Sequence, residues 1–176
     1  MANDPRTILV LGGARSGKSR HAQALAEARS PARVFIATAE AADAEMAARI
    51  AHHRADRDAS WRTIEAPVAL PEAIRAHGIG GDVVLVDCLT LWLSNLLLAD
   101  ADLDAAGDAL LAALRATIAP IILVSNEVGF GIVPDNALAR RFRDAAGRLN
   151  QRLAACCDAT DLVVAGIPLR ISPRQS

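Results

Sequence analysis

The chain has 176 residues, of which 52% are hydrophobic and 22% are charged, a balance typical of a globular protein and not of a disordered or fibrous one. This length suits one domain, which we expect to span residues 1–176. The net charge of −1 provides no broad positive surface for a nucleic acid or an anionic membrane, so a small ligand is expected instead.

The cysteines and the apolar segments bear on the cellular compartment. Cys88, Cys156 and Cys157 are odd in number and lack the spacing of a disulfide framework or a zinc site, and none has a basic neighbour in the sequence that would favour a thiolate. The first residues contain no apolar leader, and polar residues interrupt later apolar runs before they reach the length of a membrane span. We therefore expect a cytoplasmic protein without a membrane partner.

Strand and helix patterns alternate along the chain. Continuous apolar runs predict strands that are buried on both faces, and helical periodicity appears between them. In chain order the predicted elements are a strand at 7–11, a helix at 18–28, a strand at 33–37, a helix at 42–53, a strand at 82–86, a helix at 103–117, a strand at 121–125, a long helix through Leu138, Phe142, Ala145, Leu149 and Leu153 after an N-cap at Asp135, and a strand at 161–165.

This alternation predicts a single α/β domain with a mainly parallel sheet, in which ligands bind at the carboxyl ends of the strands. Residues 56–71 show little periodicity, and we expect a loop there, near the site.

Residues 12–19 read Gly-Gly-Ala-Arg-Ser-Gly-Lys-Ser, which matches the phosphate-binding P-loop pattern G-x-x-x-x-G-K-[ST] in full. The backbone N–H groups of such a loop surround phosphate oxygens, Lys18 reaches the β- and γ-phosphates, and Ser19 ligates Mg²⁺. Lys18 is the only lysine beside eighteen arginines, which indicates that an ammonium is needed there. The alternative, a glycine-rich turn that matches by chance, is weakened by the predicted strand before it and the helix after it.

Acidic residues follow two other predicted strands. Asp87 stands where P-loop proteins hold the metal ion, although an aspartate there can also cap the next helix. Glu127 is a candidate for orienting a nucleophile or a metal-bound water, or else is a solvated carboxylate. Gly129 and Gly131 beside it indicate either a chain that passes close to a ligand or a tight turn.

His52 and His53 are adjacent on the predicted helix at 42–53. Met46, Ile50 and His53 share its apolar face, whereas His52 lies about 100° away around the axis. An isolated pair of this kind is typical of surface and half-buried histidines, so composition does not decide between that interpretation and a functional one.

The segments around these residues resemble the bifunctional adenosylcobinamide kinase / adenosylcobinamide-phosphate guanylyltransferase family of cobalamin biosynthesis. The P-loop is shared with many NTPases, but the His-His word and the word Asn-Glu-Val-Gly-Phe-Gly-Ile-Val-Pro are specific in combination. Asp87 departs from the family pattern, which often has Glu there, and the region 98–120 is short. The resemblance covers nearly the whole chain, through residues 12–21, 35–38, 45–53, 61–63, 126–134, 139–144 and 147–152.

The resemblance implies a role for each matching residue. His52 would be the catalytic nucleophile that takes GMP from GTP, in agreement with the nucleophilicity of a neutral imidazole near pH 7. From the P-loop pattern, Lys18 is also expected to be catalytic, and Ser19 and Asp87 are expected to hold Mg²⁺. Nucleotide contacts are implied at Gly12, Gly13, Ala14, Arg15, Ser16, Gly17, Lys18, Ser19, Ala37, Thr38, Ala39, His53, Arg54, Ala55, Asp56, Glu65 and Asp87.

The same resemblance implies a reaction and an architecture. Adenosylcobinamide would be phosphorylated with ATP or GTP, and GMP would then pass from GTP through His52 to that phosphate, giving adenosylcobinamide-GDP and pyrophosphate. The domain would be of the P-loop NTPase type with a RecA-like strand order, and the protein would be a homo-oligomer, since the family is similar to homotrimers.

Two alternatives stay open. A P-loop small-molecule kinase without guanylyl transfer would lack a reactive His52. A nucleotide switch that binds a protein partner would be favoured by the GTPase word Asn-Lys-x-Asp, which is absent because Lys18 is the only lysine.

Overall fold

A computed structural model describes residues 4–39 and 58–172. These residues form one seven-stranded sheet in the order β3-β2-β4-β5-β1-β6-β7. The elements are β1 Thr7–Gly12, α1 Lys18–Glu27, β2 Arg33–Ala37, β3 Trp61–Glu65, α2 Leu70–His77, β4 Val83–Asp87, α3 Leu89–Leu98, α4 Leu103–Ala116, β5 Ile121–Asn126, α5 Ala137–Cys156, β6 Ala159–Val164 and β7 Ile167–Ser172.

The sheet confirms the predicted α/β class. Every neighbouring pair of strands is parallel except β6 and β7, which pair antiparallel. β5 lies between β1, which leads into the P-loop, and β4, which ends at Asp87. This insertion of one strand between the two is the RecA-like order that the family resemblance implies.

Alternate residues of the central strands enter two separate apolar layers. Val84 and Val86 of β4 pack in the layer that contains Trp92 of α3. Val83 and Leu85 of the same strand pack in the opposite layer with α1. Both faces of the strand are therefore covered, which is why its sequence is continuously apolar and not alternating.

The predicted loop at 56–71 is wrong in part, because β3 and the start of α2 lie within it. β3 is the edge strand of the sheet and pairs only with β2. Polar residues therefore occupy much of the strand, which hides its apolar signature. Its first residue, Trp61, is buried and meets Phe35 edge to face, with ring centroids 6.2 Å apart.

Other boundaries differ more modestly. The predicted N-cap of α5, Asp135, is wrong by one residue: Asn136 is the cap, and its Oδ1 accepts a hydrogen bond from Ala139 N at 2.7 Å. Both are good capping residues, so only the backbone path selects between them. The sequence patterns do not predict α2, α3 and β7, and the other observed ends coincide with the predicted ones or differ from them by one or two residues.

The predicted helix at 42–53 and the length of the observed helices complete the comparison with the sequence. The predicted helix at 42–53 lies outside the described residues. Among the residues that are described, none of the helices has the length and apolarity that crossing a membrane requires.

Candidate active site

The P-loop joins the carboxyl end of β1 to the first turn of α1. Arg15 and Gly17 have left-handed backbone conformations, with φ of 56° and 94°, and Gly17 is the N-cap of α1. The turn brings Ser16 N to Gly13 O at 3.2 Å. A loop of this kind, followed by a helix N-terminus, presents backbone N–H groups to an anion.

Gly12 has no room for a side chain. A Cβ atom at Gly12 would lie 2.5 Å from Ser16 Oγ and 2.7 Å from Val163 O of β6. At Gly13, by contrast, no atom of the described residues other than its chain neighbours lies within 4 Å of such a Cβ, and Gly13, Ala14 and Arg15 are exposed. The first glycine therefore serves packing against β6, whereas the next three residues are accessible to a ligand.

Lys18 and Ser16 place polar groups inside the loop. Lys18 is only 9% exposed, and its Nζ donates a hydrogen bond to Gly13 O at 3.1 Å. Ser16 is also buried, and its Oγ has no hydrogen-bond partner among the described residues. Because an unpartnered buried hydroxyl is unfavourable, a ligand oxygen at the loop would stabilise it.

Strand register collects several predicted residues at one edge of the sheet. Ala37 at the end of β2 pairs with Glu65 of β3 on one side and with Asp87 of β4 on the other. Gly12 at the end of β1 pairs with Asn126 of β5. With neighbouring strands about 4.8 Å apart, β4 lies about 10 Å from β1 across the sheet and β3 about 19 Å, and Asp87 pairs with Val124, two residues before Asn126. The candidate site is thus a row along the carboxyl edge.

Thr38 joins the ends of β2 and β4. It is fully buried, and its Oγ1 accepts a hydrogen bond from Cys88 N at 2.9 Å and donates one to Cys88 O at 2.7 Å. Thr38 N donates to Asp87 O at 3.3 Å. The Thr38 hydroxyl is thus hydrogen-bonded to the backbone of Cys88, next to Asp87. The predicted contact of Thr38 with a nucleotide stays a prediction.

Asp87 itself ends β4 and is half-buried. The alternative in which it caps the next helix is not observed, because the N-cap of α3 is Cys88. Its carboxylate stands at the strand end where the P-loop pattern predicts a metal-side acid.

Glu127 closes a turn beside the P-loop. Its backbone N donates to Gly12 O at 3.0 Å, and its Oε1 accepts from Gly129 N at 2.7 Å. A Cβ at Gly129 would lie 2.8 Å from that oxygen, so the tight-turn interpretation of Gly129 is the observed one. A Cβ at Gly131 would meet none of the described residues within 4 Å, its chain neighbours aside.

Two asparagines that we did not predict as site residues hold this edge together. Asn95 of α3 donates from Nδ2 to Thr38 O and to Pro67 O, both at 2.9 Å. Asn150 of α5 donates to Asn126 O at 3.1 Å. An amide within the apolar run of α3 is a usable sequence signal, because buried polar groups require partners.

Two of the cysteine thiols are poor nucleophiles in this structure. Burial and the neighbouring charge of Asp87 raise the pKa of Cys88. Burial, followed by Cys156 and Asp158, raises the pKa of Cys157 to about 12. Neither of these two thiols is a thiolate at neutral pH, in line with the expectation from sequence.

Some of the remaining predicted site residues lie within the described ranges, and the others lie outside them. Ser19 is half-buried on the first turn of α1, and Glu65 is exposed at the end of β3. The segment that contains His52, His53, Arg54, Ala55 and Asp56 lies outside the described residues.

Comparison with known proteins provides independent evidence on the family of this chain. Residues 8–171 match the CobU family, described as cobinamide kinase / cobinamide phosphate guanyltransferase. The chain is 52% identical over 163 residues to the bifunctional adenosylcobalamin biosynthesis protein CobP of Pseudomonas aeruginosa, covering 92% of this chain and 94% of that one. The bifunctional adenosylcobalamin biosynthesis proteins CobU of Salmonella typhimurium and Escherichia coli K12 are 47% and 48% identical over 179 residues, covering 93% of this chain and 98% of each of theirs. The chain belongs to the cobinamide kinase / cobinamide phosphate guanyltransferase family.

Proposed function

We propose that this chain phosphorylates adenosylcobinamide with ATP or GTP and then transfers GMP from GTP to the product, giving adenosylcobinamide-GDP. The observation that carries the proposal is the P-loop at the carboxyl end of β1, with Lys18 folded over it, in a chain that matches the family over residues 8–171. Residues 1–176 would act as one domain, in a cytoplasmic homo-oligomer.

In the first reaction the hydroxyl of the aminopropanol arm of adenosylcobinamide attacks the γ-phosphorus. The new O–P bond forms as the bond between the γ-phosphorus and the bridging oxygen breaks, the nucleoside diphosphate leaves, and the hydroxyl proton is released. Negative charge develops on phosphate oxygens, so Lys18 and the loop N–H groups contribute by electrostatic stabilisation.

The donors at this edge fit Mg²⁺. Ser19 and Asp87 offer hydroxyl and carboxylate oxygens, the ligand type that Mg²⁺ prefers. Among the described residues no group of three or more His, Cys, Asp or Glu is placed to hold a metal ion, which suits an ion that usually takes one or two protein ligands together with substrate phosphates. Bound there, Mg²⁺ would neutralise charge on the β- and γ-phosphates.

In the second reaction a ring nitrogen of His52 attacks the α-phosphorus of GTP. The N–P bond forms while the bond from the α-phosphorus to pyrophosphate breaks. A phosphate oxygen of adenosylcobinamide phosphate then attacks the same phosphorus, the N–P bond breaks, and His52 is regenerated. A covalent intermediate of this kind divides one difficult displacement into two easier ones.

The test is incubation with α-labelled GTP and Mg²⁺, followed by denaturation and measurement of label that stays on the protein. We expect label on the wild type, none on His52→Ala, and some on His53→Ala, the matched control. The adduct should be lost in acid and survive alkali, as a phosphoramidate does. Phosphorylation of adenosylcobinamide from γ-labelled ATP should persist in His52→Ala, because Lys18, Ser19 and Asp87 are unchanged.

Two outcomes would contradict the guanylyltransferase part. If the wild type retains no label, or if His52→Ala retains an acid-labile adduct, His52 is not the nucleophile. A wild type that retains no label but phosphorylates adenosylcobinamide would be a kinase without guanylyl transfer.

A further inference from the structure

A charged cluster centred on one buried carboxylate lies directly behind the P-loop. Asp161 in β6 is 3% exposed. Its Oδ2 accepts a hydrogen bond from His21 Nε2 at 2.9 Å, and its Oδ1 accepts one from Arg170 Nε. His21 is on α1, three residues after Lys18, and Arg170 is on β7. The cluster therefore ties the P-loop helix to both strands of the β6–β7 hairpin.

The hairpin also touches the P-loop itself. Gly166, in the turn between β6 and β7, donates from its backbone N to Ser16 O at 2.8 Å. A Cβ at Gly17 would lie 3.2 Å from Gly166 Cα, and a Cβ at Gly12 would lie 2.7 Å from Val163 O. The loop and the hairpin are thus in close backbone contact at three P-loop residues.

A carboxylate is an unusual choice for a buried position within a sheet. Burial raises the pKa of Asp161, but the hydrogen bonds and the charges of Arg170 and His21 together lower it by more, so the group stays ionised at neutral pH. An apolar residue can pack at such a position without this desolvation penalty. The carboxylate instead makes directional hydrogen bonds, and its two oxygens bond to groups on two different elements, α1 and β7.

The orientation of α1 matters because this helix carries the phosphate-binding side chains. A helix is rigid, so a bond that holds His21 also limits rotation of the preceding turn, which contains Lys18 and Ser19. We propose that Asp161 is a positioning residue for the nucleotide: through His21 and Arg170 it holds the β6–β7 hairpin against α1 and thereby sets where Lys18 and Ser19 meet the phosphates. The inference rests on the proposed nucleotide site at the P-loop.

The chain offers a matched control on the same strand segment. Asp158, just before β6, accepts hydrogen bonds at Oδ2 from Thr7 N at 2.8 Å and from Thr7 Oγ1 at 2.9 Å. It therefore also joins β6 to β1, but at the amino edge of the sheet, away from the P-loop. Asp161→Asn and Asp158→Asn make the same chemical change at the two ends of this region.

The experiment compares equilibrium binding of ATP and GTP, the KM values of both reactions, and the melting temperature in the two variants. For Asp161→Asn we expect binding of both nucleotides to weaken by about tenfold, with a matching rise in the nucleotide KM and little change in the KM for adenosylcobinamide. Asp158→Asn should lower the melting temperature and leave nucleotide binding unchanged. His21→Gln should reproduce the binding loss, and the double variant His21→Gln/Asp161→Asn should bind no more weakly than Asp161→Asn.

The proposal is overturned if Asp161→Asn lowers the melting temperature but binds nucleotides within about twofold of wild type, since the role of Asp161 would then be structural only. If Asp161→Asn does not fold, the decision passes to His21→Gln, because the His21 side chain is partly exposed, and wild-type affinity in that variant would refute the proposal. A wild type that binds ATP but does not phosphorylate adenosylcobinamide would refute the proposed function instead.

Discussion

At the scale of single residues, Lys18 illustrates how a charge can be necessary but not sufficient. The side chain is buried and its Nζ lies 3.1 Å from Gly13 O, which leaves room for a compact ammonium. A guanidinium keeps the charge but is larger and planar.

We therefore expect Lys18→Arg to lose binding of ATP and GTP, and with it both activities, while the far-UV circular dichroism spectrum stays that of the wild type. Titration with a fluorescent nucleotide measures the loss. Arg20→Lys, an exposed change two residues along the same helix, is the control and should bind normally. Near-normal kinase turnover in Lys18→Arg would show that the loop does not use this residue as proposed.

The P-loop and Thr38 differ in how far a local motif predicts their contacts. The P-loop pattern identified Gly12 and Lys18 because the backbone conformation that cradles a phosphate needs those residue types within a few positions. It did not reveal that the Thr38 hydroxyl bonds to the backbone of Cys88, since those residues are far apart in the chain and carry no shared word.

At the scale of elements, the start of α5 separates two residues that look equivalent in sequence. Asn136 Oδ1 accepts from Ala139 N at 2.7 Å. Asp135 takes part through its backbone, since its carbonyl oxygen accepts from Arg140 Nη1 at 2.8 Å, and this bond does not need the aspartate side chain.

We expect Asn136→Ala to lower the free energy of unfolding by about 1 kcal/mol, the usual loss for an N-cap, and Asp135→Ala to change it by no more than about 0.5 kcal/mol. Urea denaturation of both variants measures the difference. Equal losses in the two would mean that the cap is shared or lies elsewhere.

β3 is a strand that the periodicity of its sequence does not predict. Its residues Trp-Arg-Thr-Ile-Glu carry neither a continuous apolar run nor a clean alternation, because the strand lies at the edge of the sheet. Whether a segment forms an edge strand depends on a neighbour with an open edge, here β2, and this neighbour is not encoded within the segment itself.

At the scale of the whole molecule, two aspartates couple stability to pH. Burial raises the pKa of both Asp158 and Asp161. Hydrogen bonds and charge from Thr7 and Arg6 at Asp158, and from Arg170 and His21 at Asp161, outweigh burial and bring both pKa values below the ordinary 3.8. The unfolded chain therefore binds protons at a higher pH than the folded one. The stabilisation from these carboxylates is complete above the unfolded pKa and is lost as the pH falls through the folded values.

We expect the free energy of unfolding, measured with urea between pH 7 and pH 3, to decline below about pH 5. The double variant Asp158→Asn/Asp161→Asn should be less stable at pH 7 and show a flatter decline. A decline as steep as that of the wild type would mean that other carboxylates govern the acid sensitivity.

Local patterns in the sequence predict the α/β class and the P-loop and carry the family resemblance, which the comparisons confirm. Each of these depends on residues close together in the chain: apolar runs that make strands, and glycines and a lysine that make a phosphate-binding turn. The edge position of β3 and the contacts of the β6–β7 hairpin with the P-loop, by contrast, are seen only in the folded chain. His21 and Asp161 are 140 positions apart, and a bond over that separation exists only because the sheet places β6 beside β1, which leads into the helix that carries His21.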